Sequence, residues 1–303
     1  MSGEFRCGFV AVVGRPNVGK STLMNALVGE KVSIVTPKPQ TTRHRILGIR
    51  SSDDSQIVFV DTPGLHRDAG KAMNRMMNRS AATALADADL VLFVTEAGRW
   101  TAEDDDVLRR ISQSSITSFA ILNKVDKVVP KDALLEHIAS ISQRHRFAEV
   151  VPVSAVKGDN LGQLLKLIPQ YLPASPALFP VNTVSDRGEE FRAAEVIREK
   201  LTLNLRQELP YGLTVQIERF ERDDNGVSVH AVIWVEKTSQ KGIVVGKGGN
   251  MLKRVGKAAR LELRERLALP VHLELWVRVK ENWADSERDL LSLGFDAPSG
   301  RAD

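Results

Sequence analysis

Only one cysteine, Cys7, occurs in the 303 residues, which excludes an intrachain disulfide and any thiolate cluster able to hold zinc or iron. That usage fits a reducing compartment. No apolar run approaches the ~20 residues that a membrane span needs. The stretch from Met1 to Arg6 carries Glu4 and no long apolar segment of the export-signal kind, so a cytoplasmic protein is expected. No internal repeat is visible, and the formal net charge is only +4.

That small charge hides an asymmetry. Residues 241–280 hold ten Lys or Arg against three Glu, a local balance of +7, so the rest of the chain carries a net −3. A concentrated basic segment points to a polyanion docking at one place, while a solvated helix face explains the charge alone equally well. With 43% hydrophobic and 26% charged residues, the chain can bury a core and is long enough for two domains.

Apolar runs at Gly8 to Val13, Ile57 to Val60, Leu90 to Val94, Phe119 to Leu122 and Val150 to Val153 alternate with stretches of helical spacing. Continuous apolar strands between helices predict an α/β fold with a doubly wound, mainly parallel sheet, binding its ligand at the carboxyl ends of the strands. PASPALFP then places Pro173, Pro176 and Pro180 within eight residues, a composition for a stiff connector. The reading divides the chain into a first domain over 1–172, a linker over 173–188 and a smaller α+β domain over 189–303. In the last, the pattern predicts a helix from about Glu189 to Glu208, strands at Leu213 to Phe220 and Val227 to Val235 joined by the hairpin signal Asp224-Asn225-Gly226, a helix to Leu267, and a strand at Val271 to Val279.

Gly14-Arg15-Pro16-Asn17-Val18-Gly19-Lys20-Ser21 follows a strand and opens a helix, the context in which G-x-x-x-x-G-K-S/T is a phosphate loop rather than a chance turn. Its amides and the helix N-terminus suit phosphates, Lys20 supplies a point charge, and the Ser21 hydroxyl suits Mg²⁺; Thr22 completes the set. Asn123-Lys124-Val125-Asp126 matches the guanine-reading NKxD pattern. Asp126 offers two acceptors for the N1–H and exocyclic amine of guanine, while adenine would leave the carboxylate unpaired. Ser154-Ala155 follows the last strand and resembles the SA element of guanine-binding proteins, whose backbone reaches guanine O6; alone the dipeptide is too common to carry meaning.

Asp61-Thr62-Pro63-Gly64 closes another strand, where Asp61 can hold Mg²⁺ through water and the Gly64 N–H can meet a γ-phosphate; a surface turn is the bland alternative. In Gln40-Thr41-Thr42-Arg43-His44, Thr42 is chosen over Thr41 as the Mg²⁺ ligand. The catalytic set is thus Lys20, Thr42, Asp61 and Gly64, with Ser21, Thr42 and Asp61 for the metal. Leu65 stands where Ras-like enzymes carry the glutamine that orients water. The switch backbone, His66, or a potassium ion held by Asn17, as the resemblance to GTPases with asparagine there implies, is left to compensate, and His66 reads as a packing or hydrogen-bonding residue rather than a general base.

Gly246-Lys247-Gly248-Gly249 lies in the element order helix, strand, strand, helix, helix, strand of a type II K-homology (KH) fold. G-x-x-G alone is weak, but Lys241 precedes it and Lys253, Arg254, Lys257 and Arg260 follow, a setting for clamping about four nucleotides of single strand beside an apolar groove. Trp234 and Trp276 read as core or groove wall rather than stacking platforms; Trp283 reads either way.

Phosphate loop, switch threonine, DTPG, NKxD and SA in this order resemble the translation-factor class of GTPases. With Phe191-Arg192-Ala193-Ala194-Glu195, Glu208-Leu209-Pro210-Tyr211 and Glu274-Leu275-Trp276-Val277, nearly the whole chain resembles the Era family of bacterial ribosome-assembly GTPases. The resemblance implies Mg²⁺-dependent GTP hydrolysis, binding of the 3′ end of 16S ribosomal RNA and of the immature small subunit, GTP favouring the RNA-competent state, and peripheral contact with the inner membrane face. A monomer is the default. Gly248 is an extra glycine in the clamp, which bears on affinity. A transfer-RNA-modifying GTPase lacks support, because Cys7 is not in a C-terminal motif; a GTP-binding scaffold without turnover is favoured by Leu65 alone.

Overall fold

The computed structural model describes residues 4–63, 71–130, 132–205 and 209–295. Gly64, Leu65 and His66, and the last residues of the helix expected to reach Glu208, lie outside them. Among the described residues two compact units form, one of residues 4–63 and 77–186, the other of residues 71–76 and 187–295.

In the first unit a six-stranded sheet runs in the order β2-β3-β1-β4-β5-β6, with β1 Arg6–Val13, β2 Ile46–Ser51, β3 Ser55–Asp61, β4 Leu90–Glu96, β5 Ser118–Asn123 and β6 Glu149–Pro152. All pairings are parallel except β2 with β3. β3 and β5 are buried along their whole length, which explains why they read as unbroken apolar runs: both faces are covered. The covering helices are α1 Lys20–Val28, α2 Ala72–Ala86, α3 Ala102–Ser112, α4 Asp132–Arg144 and α5 Leu161–Leu167. The carboxyl ends of β1, β3, β4 and β5 carry Gly14, Asp61, Glu96 and Asn123 to one edge.

β2 has no counterpart among the predicted strands. It is a short antiparallel edge strand containing Gly48, where an added Cβ would lie 2.7 Å from Val28 of α1, so close packing of helix on strand, not strand propensity, sets its composition.

Residues 173–186 lie against this sheet as part of the first unit. Cys7 N–H donates to Pro173 O at 3.1 Å, Ile49 N–H to Val184 O at 2.9 Å, and Leu47 N–H to Asp186 Oδ1 at 2.9 Å. Fully buried Gln56 grips the segment as a peptide would. Its Oε1 accepts from Leu178 and Phe179 N–H, both at 2.9 Å, and its Nε2 donates to Phe179 O at 2.8 Å.

The second unit contains α6 Glu189–Asn204, β7 Leu213–Arg222, β8 Val227–Val235, α7 Thr238–Val245, α8 Asn250–Leu267, β9 Val271–Val279 and α9 Glu287–Ser292. The sheet order is β7-β8-β9, with β7/β8 antiparallel and β8/β9 parallel. The hairpin closes where Asn225 and Gly226 N–H donate to Asp223 Oδ1. Alternate residues of β8 and β9, such as Val229, Ile233 and Val277, pack with Val196, Ile197, Val255 and Leu263 of the helices into one core.

Trp276 belongs to the opposite register. It stands across from Val232 and is 39% exposed, so it is not core. Trp234 is half-buried and donates to Gln216 Oε1 at 2.9 Å. Trp283 is fully buried.

Candidate nucleotide and nucleic-acid sites

The turn between β1 and α1 can form only with glycine at its close approaches. A Cβ on Gly19, whose φ is +100°, would lie 2.4 Å from Asn123 Nδ2. Asn17 takes φ +63°, an uncommon conformation for a non-glycine residue and one that clusters at functional loops. Pro16 and Thr22 are half-buried, and Val18 is buried. Lys20 donates to Gly14 O at 2.9 Å and Arg15 O at 3.0 Å. Burial pulls its pKa down to about 8, against the pull of Asp61. The side chain of Arg15 is buried against Glu96 and Asp104, leaving its main chain for the phosphate loop.

Below the loop, hydroxyls converge on one carboxylate. Asp61 Oδ2 accepts from Ser21 at 2.7 Å, Ser33 at 2.8 Å and Thr42 at 3.2 Å, and Thr42 Oγ1 lies 2.9 Å from Ser21 Oγ. Asp61 Oδ1 is buried with no hydrogen-bond partner, a costly arrangement for a carboxylate oxygen. Burial pushes the Asp61 carboxyl above its ordinary pKa. This is a set of hard oxygen donors with one acceptor unspent, which fits Mg²⁺. Thr41 Oγ1 turns away to Thr36 Oγ1 and Lys38 O. Ser33 is a neighbour of Asp61 that the sequence did not flag, since an isolated serine carries no motif. Thr62 Oγ1 donates to Val12 O at 3.3 Å, and Pro63 is buried; Gly64 and Leu65 are outside the described residues.

The base-reading loop is tied to the phosphate loop. Asn123 Nδ2 donates to Val18 O at 2.9 Å and its Oδ1 accepts from Ala155 N–H at 3.1 Å. Lys124 Nζ donates to Asn17 O at 2.9 Å. Asp126 is exposed, and Ser154 Oγ donates to its Oδ1 at 2.6 Å. That bond holds the carboxyl below its ordinary range.

In the second unit, Gly246, Gly248 and Gly249 all have positive φ. A Cβ on Gly246 would meet Met251 Cβ at 2.7 Å. The loop opens α8, on which Lys253, Arg254, Lys257 and Arg260 are exposed, as are Lys247 in the loop and Lys241 before it. β9 is an edge strand, and half-buried Leu273, Leu275 and Met251 pack against the core there. Basic side chains at a helix N-terminus beside an apolar strand edge suit a single-stranded nucleic acid.

Fold and site together define a GTPase: a phosphate loop, a metal-ready carboxylate and a guanine-reading loop on one sheet edge, in a chain that also carries a KH unit. Residues 9–124 match the family of 50S ribosome-binding GTPases and residues 208–284 match the KH domain family. GTPase Era of Coxiella burnetii is 48% identical over 290 residues, covering 96% of this chain and 98% of that protein. The Vibrio cholerae GTPase Era is 46% identical over 291 residues, 95% of this chain and 90% of the relative. Two solved structures superpose with TM-scores of 0.92 at 38% identity, each covering 96% of this chain and 99% of its own: a variant of Aquifex aeolicus Era bound to GDP and AlF4−, and Era in complex with MgGDPNP and nucleotides 1506–1542 of 16S ribosomal RNA. The chain belongs to the Era family of GTPases.

Proposed function

We propose that this GTPase binds the 3′ end of 16S ribosomal RNA through its KH unit and acts in maturation and assembly of the small ribosomal subunit, its GTP state controlling RNA binding. The carrying observation is the run of positive-φ glycines opening a helix with an exposed basic face; the solved Era complex with that RNA supports it. Phosphates would meet Gly246 to Gly249, Lys247, Lys253, Arg254 and Lys257, with Lys241 at the margin, and bases the apolar strand edge.

In hydrolysis, Mg²⁺ would be held by Ser21 and Thr42 and, through water, by Asp61; bound there it neutralises charge on the β- and γ-phosphates. Lys20 adds a second positive charge. Asn17 is exposed at the loop and is assigned a potassium ion. The proposed setting is a cytoplasmic monomer with peripheral contact to the inner membrane face; among the described residues no helix is long and apolar enough to cross a membrane. Fluorescence anisotropy with a labelled single strand copying the 16S 3′ end tests the RNA assignment. Binding by wild type that is lost at least tenfold in Gly249→Asp is expected; equal binding by both would reject the clamp.

A further inference from the structure

Arg15 is the second long cation of the phosphate loop, and its side chain is turned to two carboxylates. Its Nε donates to Asp104 Oδ2 at 3.1 Å and its Nη2 to Glu96 Oε2 at 2.9 Å. Asp104 is fully buried and fixed at the start of α3, its Oδ2 accepting from Thr101 N–H and Oγ1, both at 2.9 Å. The other oxygen of Glu96 lies 3.2 Å from Lys124 Nζ, which also donates back to Asn17 O of the phosphate loop. The ring Arg15–Glu96–Lys124–Asn17 is therefore closed, and Asp104 anchors it to the helix. Glu96 lies directly across from Asn123 in the sheet, and Ala97 N–H donates to Asn123 O at 2.8 Å, so main chain and side chain at this strand end both brace the guanine-reading loop.

We propose that Glu96 is a positioning residue for nucleotide retention: bridging Arg15 and Lys124, its carboxylate locks the phosphate loop to the guanine-reading loop, so that one nucleotide can satisfy both. This rests on the GTPase reading of the site. Neither Glu96 nor Asp104 touches a nucleotide by the motif logic, and neither belongs to the five signature elements. The bridge is partly buried, with side-chain exposures of 8% for Arg15, 22% for Glu96 and 23% for Lys124, so the charges are less screened than a surface pair would be. A carboxylate shared between two cations on different loops makes their positions interdependent, and the consequence is kinetic: the bound nucleotide leaves when the two loops separate.

The test is release of a fluorescent GDP analogue from the full chain, with steady-state GTP hydrolysis beside it. Glu96→Gln keeps the side-chain shape and removes the charge. Release about tenfold faster is expected, equivalent to roughly 1.4 kcal/mol of lost coupling. KM for GTP should rise in parallel while kcat stays within about twofold, and Glu96→Asp should restore slow release. Arg15→Gln breaks the bridge from its other end, so the double variant should release no faster than the faster single variant. Release at the wild-type rate in Glu96→Gln, or single effects that multiply in the double variant, would overturn the bridge, as would a fall in kcat at constant KM. Wild-type protein that retained no guanine nucleotide would instead overturn the reading of the site itself.

Discussion

Asp126 is exposed, but its carboxylate is not free to turn: the Ser154 hydroxyl occupies one oxygen at 2.6 Å, leaving the remaining acceptor sites oriented outward. Guanine matches two acceptors, whereas an amide in the same place offers one donor and one acceptor and matches xanthine instead. Asp126→Asn is expected to weaken GTP binding by at least tenfold and to make XTP the better ligand, read by competition against labelled GDP. Ser154→Ala removes the hydroxyl that orients the carboxylate, so guanine affinity should fall a fewfold. The other residue-scale prediction concerns Asn17, held at φ +63° with its carbonyl accepting from Lys124 and proposed above for potassium. Hydrolysis should run faster in potassium than in sodium at equal ionic strength, and Asn17→Ala should abolish the difference; equal rates in the two salts for wild type would remove potassium from the mechanism.

Among the elements, the segment from 173 to 186 behaves as a strap on the sheet. Gln56 is fully buried and holds Leu178 and Phe179 through their main chain, so Gln56→Ala would remove the partner of three partly buried main-chain groups. Leaving such groups unpaired costs about 2–3 kcal/mol after partial hydration, and the expected result is a lower Tm with faster proteolytic cleavage between Pro173 and Pro180. Intact resistance to cleavage would show that the main-chain bonds from Cys7 and Ile49 and the Leu47–Asp186 bond hold the strap without Gln56. The same contacts mark where reading the sequence stops. The phosphate loop, the NKxD loop and the G-x-x-G turn were legible because each is chemistry compressed into a few consecutive residues. The strap and the direction of the Arg15 side chain depend on partners roughly 80 to 140 residues away, while β2 is an edge strand whose composition is set by its packing on α1. Proline spacing carries no information on what a segment lies against. Trp276, read as core or groove wall, is not core, because strand alternation assigns two faces without saying which one the helices cover.

For the whole molecule, the uneven charge acquires a physical use. The exposed cations Lys247, Lys253, Arg254 and Lys257 lie within eleven residues on one loop and the first two turns of one helix, so an RNA strand crossing them displaces condensed counterions. For a single strand each neutralised phosphate contributes about −0.7 to the slope of log K against log salt, and four contacts predict a slope of roughly −3. Lys253→Ala and Lys257→Ala should each flatten the slope by about 0.7 and weaken all sequences alike, because phosphate contacts position without reading bases. Substitution at the strand edge, as in Leu275→Ala, should leave the slope unchanged and relax base preference. Hydrolysis links this surface to the other unit if RNA binding and the GTP state are coupled, since coupling is reciprocal: RNA that prefers the GTP form must itself strengthen GTP binding by the same factor. Titrating GDPNP with and without saturating 16S 3′-end RNA measures that factor directly. A several-fold gain that vanishes in Gly249→Asp is expected; identical GDPNP affinity in both conditions would mean that two competent units share a chain without sharing a switch.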